Sequence, residues 1–148
     1  MNVYKWYAAS RWLYLHHVPI LPGIIKTGIR IIWGGGVIPY QADIGKGTIL
    51  GYQACGIVIH KRCVIGTGCH ISQGVTIGGT SGLYEVPVLG ENVQVGANAV
   101  IIGPVHVGSG SVIGAGAVVT RDIPPRSVAV GVPAKVVKTL EENETASI

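Results

Sequence analysis

The chain has no phenylalanine and one methionine, and aromatics make up only 6% of its 148 residues. Without large rings, a core has to be filled by Val, Ile, Leu and Ala in narrow layers. Charge is also scarce, at 12% of residues, and eleven Lys+Arg against seven Asp+Glu leave +4. That balance mildly favours an anionic partner such as a nucleotide cofactor. No basic run with interleaved aromatics points to nucleic acid. Three cysteines, odd in number and without paired spacing, fit a reducing compartment and not a disulfide framework. Aromatic and polar residues interrupt any apolar h-region at the N-terminus, so no signal peptide is expected. The apolar stretch from Val18 to Ile38 is broken by Lys26, Arg30, two prolines and several glycines, which makes it a poor membrane span. The expected location is cytoplasmic. Also missing are a Ser/His/Asp arrangement and a glycine-rich phosphate loop that follows a strand and opens a helix.

Aliphatic residues and 23 glycines dominate instead, and they are spaced. Stepping by six from Ile59 gives Ile65, Ile71, Ile77, Leu83, Leu89, Val95, Ile101, Val107, Ile113 and Val119. Four residues after most of these stands a small or aliphatic side chain: Cys63, Cys69, Val75, Val93, Ala99, Val105, Ser111, Ala117 and Ile123. Glycine often follows directly, as at Gly66, Gly78, Gly90, Gly96, Gly108 and Gly114. A period of six fits neither an amphipathic helix nor an alternating strand. It fits a short strand and a sharp turn repeated around a triangle, three hexads to a coil of about eighteen residues. The fold class expected is all-β: a left-handed parallel β-helix of hexapeptide repeats with a short N-terminal helical segment.

Two irregularities stand out. The repeat begins near Ile44, and a three-residue slip at Leu50–Tyr52 separates the first hexad from the run starting at Gln53. After Gly78, GTSGLYEVPV has the Gly, Ser and Pro of a loop. From Ile77 to Leu89 is twelve residues, consistent with a six-residue excursion added to one hexad. Residues 1–36 read as a helical cap over the open first coil, whose strand edges would otherwise be bare; an alternative lays this segment on a membrane surface. Residues 37–138 read as the β-helix, and 139–148 as a polar, mobile tail.

Chemistry should lie where the repeat is broken. His60 occupies a corner position that glycine holds elsewhere, and Gly78, one coil later, is the last residue before the loop. A histidine there can serve as general base for a hydroxyl attacking a thioester, help worth about 10²–10⁴ in rate. His70 and His106 fall on outward positions and read as surface residues; His16 and His17 read as structural. Cys63 and Cys69 fall at inward positions and read as core. A metal site is not expected, because no histidine set has zinc spacing.

The run GIVIHKRCVIGTGCHISQGVTIGGTSG, followed by PVLGENVQVGANAVIIGPVHVGSGSVIGAGAVVTRDIPPRSVAVGVPAK, resembles the serine acetyltransferase branch of the hexapeptide acyltransferases over about residues 38–138. The resemblance implies a homotrimer with a site between neighbouring helices and acetyl-CoA lying along the groove. On that analogy Gly78, Gly79, Thr80, Ala97 and Ala115 line the cofactor arm, and Arg121 and Lys135 lie near its phosphates. Tyr52, Gln53, Tyr84 and Glu85 are the acceptor-binding candidates. The chain departs from the family at Gly51–Gly56, where an Asp-His pair is expected. It departs again at Val86, where a second histidine would precede the proline. Because of these departures it is more similar to short relatives that O-acetylate bacterial surface polysaccharides, in which a histidine matches His60. The expected function is therefore acetyl-CoA-dependent O-acetylation of a sugar hydroxyl with His60 as base. A serine or other small-molecule acetyltransferase is the alternative, and a non-catalytic or metal-dependent β-helix a further one.

Overall fold

The computed structural model describes residues 2–32 and 34–141. Helix α1 (Val3–Leu15) starts at Asn2, whose side chain accepts the Tyr4 N–H at 2.9 Å. Helix α2 (Leu21–Ile32) has Pro22 in its first turn, where a missing N–H costs nothing. From Val37 the chain enters a triangular coil of short strands, the left-handed parallel β-helix expected from the period.

The strands of face 1 are β1 (Asp43–Ile44), β4 (Val64–Ile65), β7 (Val88–Leu89) and β10 (His106–Val107), side by side in that order. Face 2 runs β2 (Ile49–Leu50), β5 (His70–Ile71), β8 (Gln94–Val95), β11 (Val112–Ile113), β13 (Ser127–Val130) and β14 (Lys135–Thr139). Face 3 runs β3 (Val58–Ile59), β6 (Thr76–Gly78), β9 (Val100–Ile102) and β12 (Val118–Val119). All neighbours are parallel except β14, which reverses onto β13. Inward aliphatics such as Ile59, Ile71, Ile77, Val95, Ile101 and Ile113 stack down the axis with at most 2% exposure. The coils lie so close at the corners that a Cβ on Gly66 would sit 2.4 Å from the Gly90 carbonyl oxygen, which is why glycine follows the inward aliphatic.

Register measures both irregularities. Val58 pairs with Thr76, the regular eighteen residues on, whereas Asp43 pairs with Val64, three more than a coil requires. Those three residues form the turn at Gly51–Ala54, where Tyr52, Gln53 and Ala54 take left-handed φ of 46°, 58° and 63°. Val64 pairs with Val88, six residues beyond a coil, so residues between Gly78 and Val88 leave the body as an excursion. One expected repeat position is corrected by this: Leu83 belongs to the excursion and is 48% exposed. Its sixfold coincidence arose because the insertion is itself six residues long.

The two ends are closed differently. On the first coil the Tyr7 hydroxyl donates to the Ala42 carbonyl at 2.7 Å and accepts the Ile44 N–H at 3.0 Å, doing for β1 what a preceding strand would do. Burial pushes the Tyr7 phenol up to about 12, so it stays protonated and can donate. Arg11 adds an ion pair to Asp43 at 3.0 Å and hydrogen bonds to the Gln41 and Ala42 carbonyls. At the last coil β14 covers β13, and the packed Leu140 donates its N–H to the Arg126 carbonyl. Thr139 and Leu140, the first residues of the expected tail, thus join this closure, Thr139 pairing with Ser127. The rest of that tail, 142–148, lies outside the described residues.

Candidate functional site

His60 directly follows β3, at the corner between faces 3 and 1. Its backbone N–H bonds the Ile77 carbonyl at 2.8 Å, which seats it directly beside Gly78, where the excursion departs. Thr80 leans back over the next coil, its hydroxyl 3.4 Å from where a Cβ on Gly103 would stand. The imidazole is oriented by an atom that sequence reasoning did not single out: the Arg62 backbone N–H donates to His60 Nδ1 at 3.2 Å. With Nδ1 accepting, the neutral ring carries its proton on Nε2 and presents a donor outward. Partial burial, and then the cations of Arg62 and Lys61, hold its pKa below the usual 6.5, so the ring is neutral at pH 7. In this orientation His60 can hydrogen-bond a developing oxyanion. Taking a proton, as a general base must, requires the ring to turn over and free the other nitrogen.

Arg62 also holds the excursion. Its guanidinium lies 4.2 Å from the centre of the Tyr84 ring and donates to the Tyr84 carbonyl. Between this strap and face 1 is a cleft of about 520 Å³ walled by Gln41, Lys61, Arg62, Tyr84, Glu85 and His106. Two buried atoms of wall residues, Gln41 Oε1 and Arg62 Nε, have no hydrogen-bond partner. The Lys61–Arg62 pair carried a signal, being the chain's only adjacent cations. Gln41 carried none, since its place depends on the cap. His106, expected at the surface, is exposed there and donates its backbone N–H to Asp122 Oδ1 at 2.7 Å.

The remaining expected site residues divide between two edges. Gly78, Gly79, Thr80, Tyr84 and Glu85 belong to the corner that follows face 3. Tyr52, Gln53, Ala97 and Ala115 belong to the corner that precedes it; Ala97 and Ala115 lie on adjacent coils, with the Gly116 N–H on the Ala97 carbonyl at 2.8 Å. A single chain does not bring the two sets together. Arg121 follows β12 and Lys135 opens β14, both exposed. Cys63 and Cys69 are buried, and burial pushes the Cys63 thiol up to about 11, well away from nucleophilic use. Among the described residues no group of three His, Cys, Asp or Glu could hold a metal.

Comparison with known proteins bears on the same geometry. The family model for bacterial transferase hexapeptide (six repeats) matches residues 87–121. The serine acetyltransferase of Synechococcus elongatus is 37% identical over 131 residues, covering 86% of this chain and 52% of that protein. The chain belongs to the hexapeptide-repeat β-helix acyltransferase class. Solved structures of this class superpose closely. Serine acetyltransferase from Neisseria gonorrhoeae matches with a TM-score of 0.86 and 34% identity over 97% of this chain and 56% of its own. The Brucella abortus enzyme in complex with coenzyme A gives 0.83 and 28% over 93% and 55%. The chain thus spans about half the length of these acyltransferases. They correct the expected polysaccharide acceptor, because relatives and solved neighbours alike are serine acetyltransferases. The sugar expectation rested on missing histidines, and a missing base says nothing about the acceptor's chemistry.

Proposed function

We propose that this protein transfers the acetyl group of acetyl-CoA to the hydroxyl of serine or a similarly small amino-acid-like acceptor. The observation that carries the reading is its likeness, over most of its length, to serine acetyltransferases, one of them solved with coenzyme A. The cleft suits such an acceptor: Lys61 and Arg62 offer donors to a carboxylate, while Glu85 offers an acceptor to an ammonium. Acetyl-CoA would lie against Gly79, Thr80, Ala97 and Ala115, with Arg121 and Lys135 near its phosphates. Because these residues occupy both edges of face 3, a complete site needs a second copy, and a homotrimer with face 3 toward its axis satisfies that requirement.

In the transfer, the hydroxyl oxygen forms a bond to the thioester carbon, the carbon–sulfur bond breaks, and the hydroxyl proton ends on the released thiol. The amides near Gly78–Thr80 and the His60 Nε2–H steady the carbonyl oxygen meanwhile. Thiol release from acetyl-CoA in the presence of serine tests the activity; no release with serine or any small hydroxyl amino acid refutes it. His60→Ala lowers the rate by about 10²–10³ if the donor role holds. His60→Gln, which keeps an N–H near the same place, then retains more activity than His60→Ala. Equal loss in both variants assigns the ring to proton abstraction.

A further inference from the structure

The net charge of this chain is confined to its cap. Residues 1–42 hold Lys5, Arg11, Lys26 and Arg30 and no acidic residue, whereas from Asp43 onward seven cations meet seven carboxylates. Within the cap α2 is divided by its own geometry, at 100° per residue. Pro22 and Ile29 are buried on one side. On the other, Ile24 and Ile31 fall within about 20° of one another and are 59% and 76% exposed, flanked by the exposed Leu21 and Ile32, with the exposed Ile20 just before the helix. Arg30 is exposed beyond the edge of this face, whereas Lys26 lies toward the buried side, its ammonium over the Tyr40 ring at 5.8 Å. Trp12 and Leu15 of α1 are also exposed. These five large aliphatic side chains make a patch on the order of several hundred Å², more than scattered surface residues account for.

We propose that this helical cap is a docking surface for a bilayer bearing anionic lipid. The charge segregation chooses that occupant: an exposed apolar face on a cap that carries four cations and no carboxylate matches a surface whose headgroups are negative and whose interior is hydrocarbon. No helix among the described residues is long and apolar enough to cross a membrane, so α2 lies flat at the interface. Ile20, Ile24 and Ile31 enter the acyl boundary while Arg30 reaches back to headgroups.

Co-sedimentation of the full chain with vesicles tests this. Vesicles of phosphatidylcholine with about 30% phosphatidylglycerol should capture it at least about tenfold better than phosphatidylcholine alone, and high salt should erase most of the gain. Ile24→Ser/Ile31→Ser should abolish capture, and Lys5→Gln/Arg30→Gln should weaken it severalfold, with circular dichroism melts showing the fold kept in both. Absence of capture, or equal capture by both vesicle types, overturns the proposal. So does a halved particle mass in Ile24→Ser/Ile31→Ser without vesicle binding by the wild-type chain, which would assign the face to a second copy.

Discussion

The cap and the coil solve the same problem by opposite means. Seven of the nine aromatic residues lie in the first 42 positions: Tyr4, Trp6, Tyr7, Trp12, Tyr14, Trp33 and Tyr40. The coil is built from aliphatics on a fixed period. In the coil no single hydrogen bond matters much, because each strand is paired above and below and each layer repeats its neighbour. In the cap a few specific groups carry the junction, with the Tyr7 hydroxyl and the Arg11 guanidinium serving backbone atoms that no strand reaches. Repetition distributes stability, whereas termination concentrates it.

Substitutions can break this contrast or sharpen it. The largest effect is expected at the coil axis: Ile101→Ala should cost about 2–5 kcal/mol in denaturant melts, since the fully buried site cannot collapse around a lost side chain. Gly66→Ala should cost about 1–3 kcal/mol or more, because its Cβ meets the backbone of the next coil and not a movable side chain. Tyr7→Phe removes one oxygen and should cost about 1–3 kcal/mol while speeding amide exchange at Ile44. Exchange in β9 and β12 should stay unchanged; a global effect there would show that cap and coil form one cooperative unit. Arg62→Met should leave the melting curve nearly intact yet raise exchange across 79–87 by releasing the strap from Tyr84. The smallest effect concerns pH. The lowered His60 pKa means the folded chain binds its proton less readily than the unfolded chain. Stability should therefore dip slightly as pH falls below 6.5, by an amount limited by solvent screening. Thiol release should be flat above pH 7; a fall with a midpoint below 6.5 would mark His60 as the base, because the protonated ring still donates from Nε2.

What could be read from the sequence follows from what repeats. Inward aliphatics, corner glycines and the length of both insertions were legible because each coil restates them. Leu83 misled for the same reason: an insertion of six residues is invisible to a test for sixes. The antiparallel β14 was not legible, since its sequence obeys no period and its partner β13 had already left it. At the site, the prominence of His60 was legible as a break in the pattern. Its ring orientation was not, because the Arg62 amide that sets it belongs to a turn whose residues carry no signature. The division of the site between two edges of face 3 follows from counting strands, but only once the six-residue excursion is known to leave at Gly78.

A period of eighteen residues contains no instruction to stop. The number of coils is fixed by two local devices, a phenol at one rim and a reversed strand at the other, and the stack between them is a free variable. One extra coil spliced between β9 and β12 would lengthen the prism without disturbing either rim. Stripping Tyr7 and Arg11 would instead leave Ala42 and Ile44 as a template on which another molecule's last coil could seat, turning a counted stack into a filament.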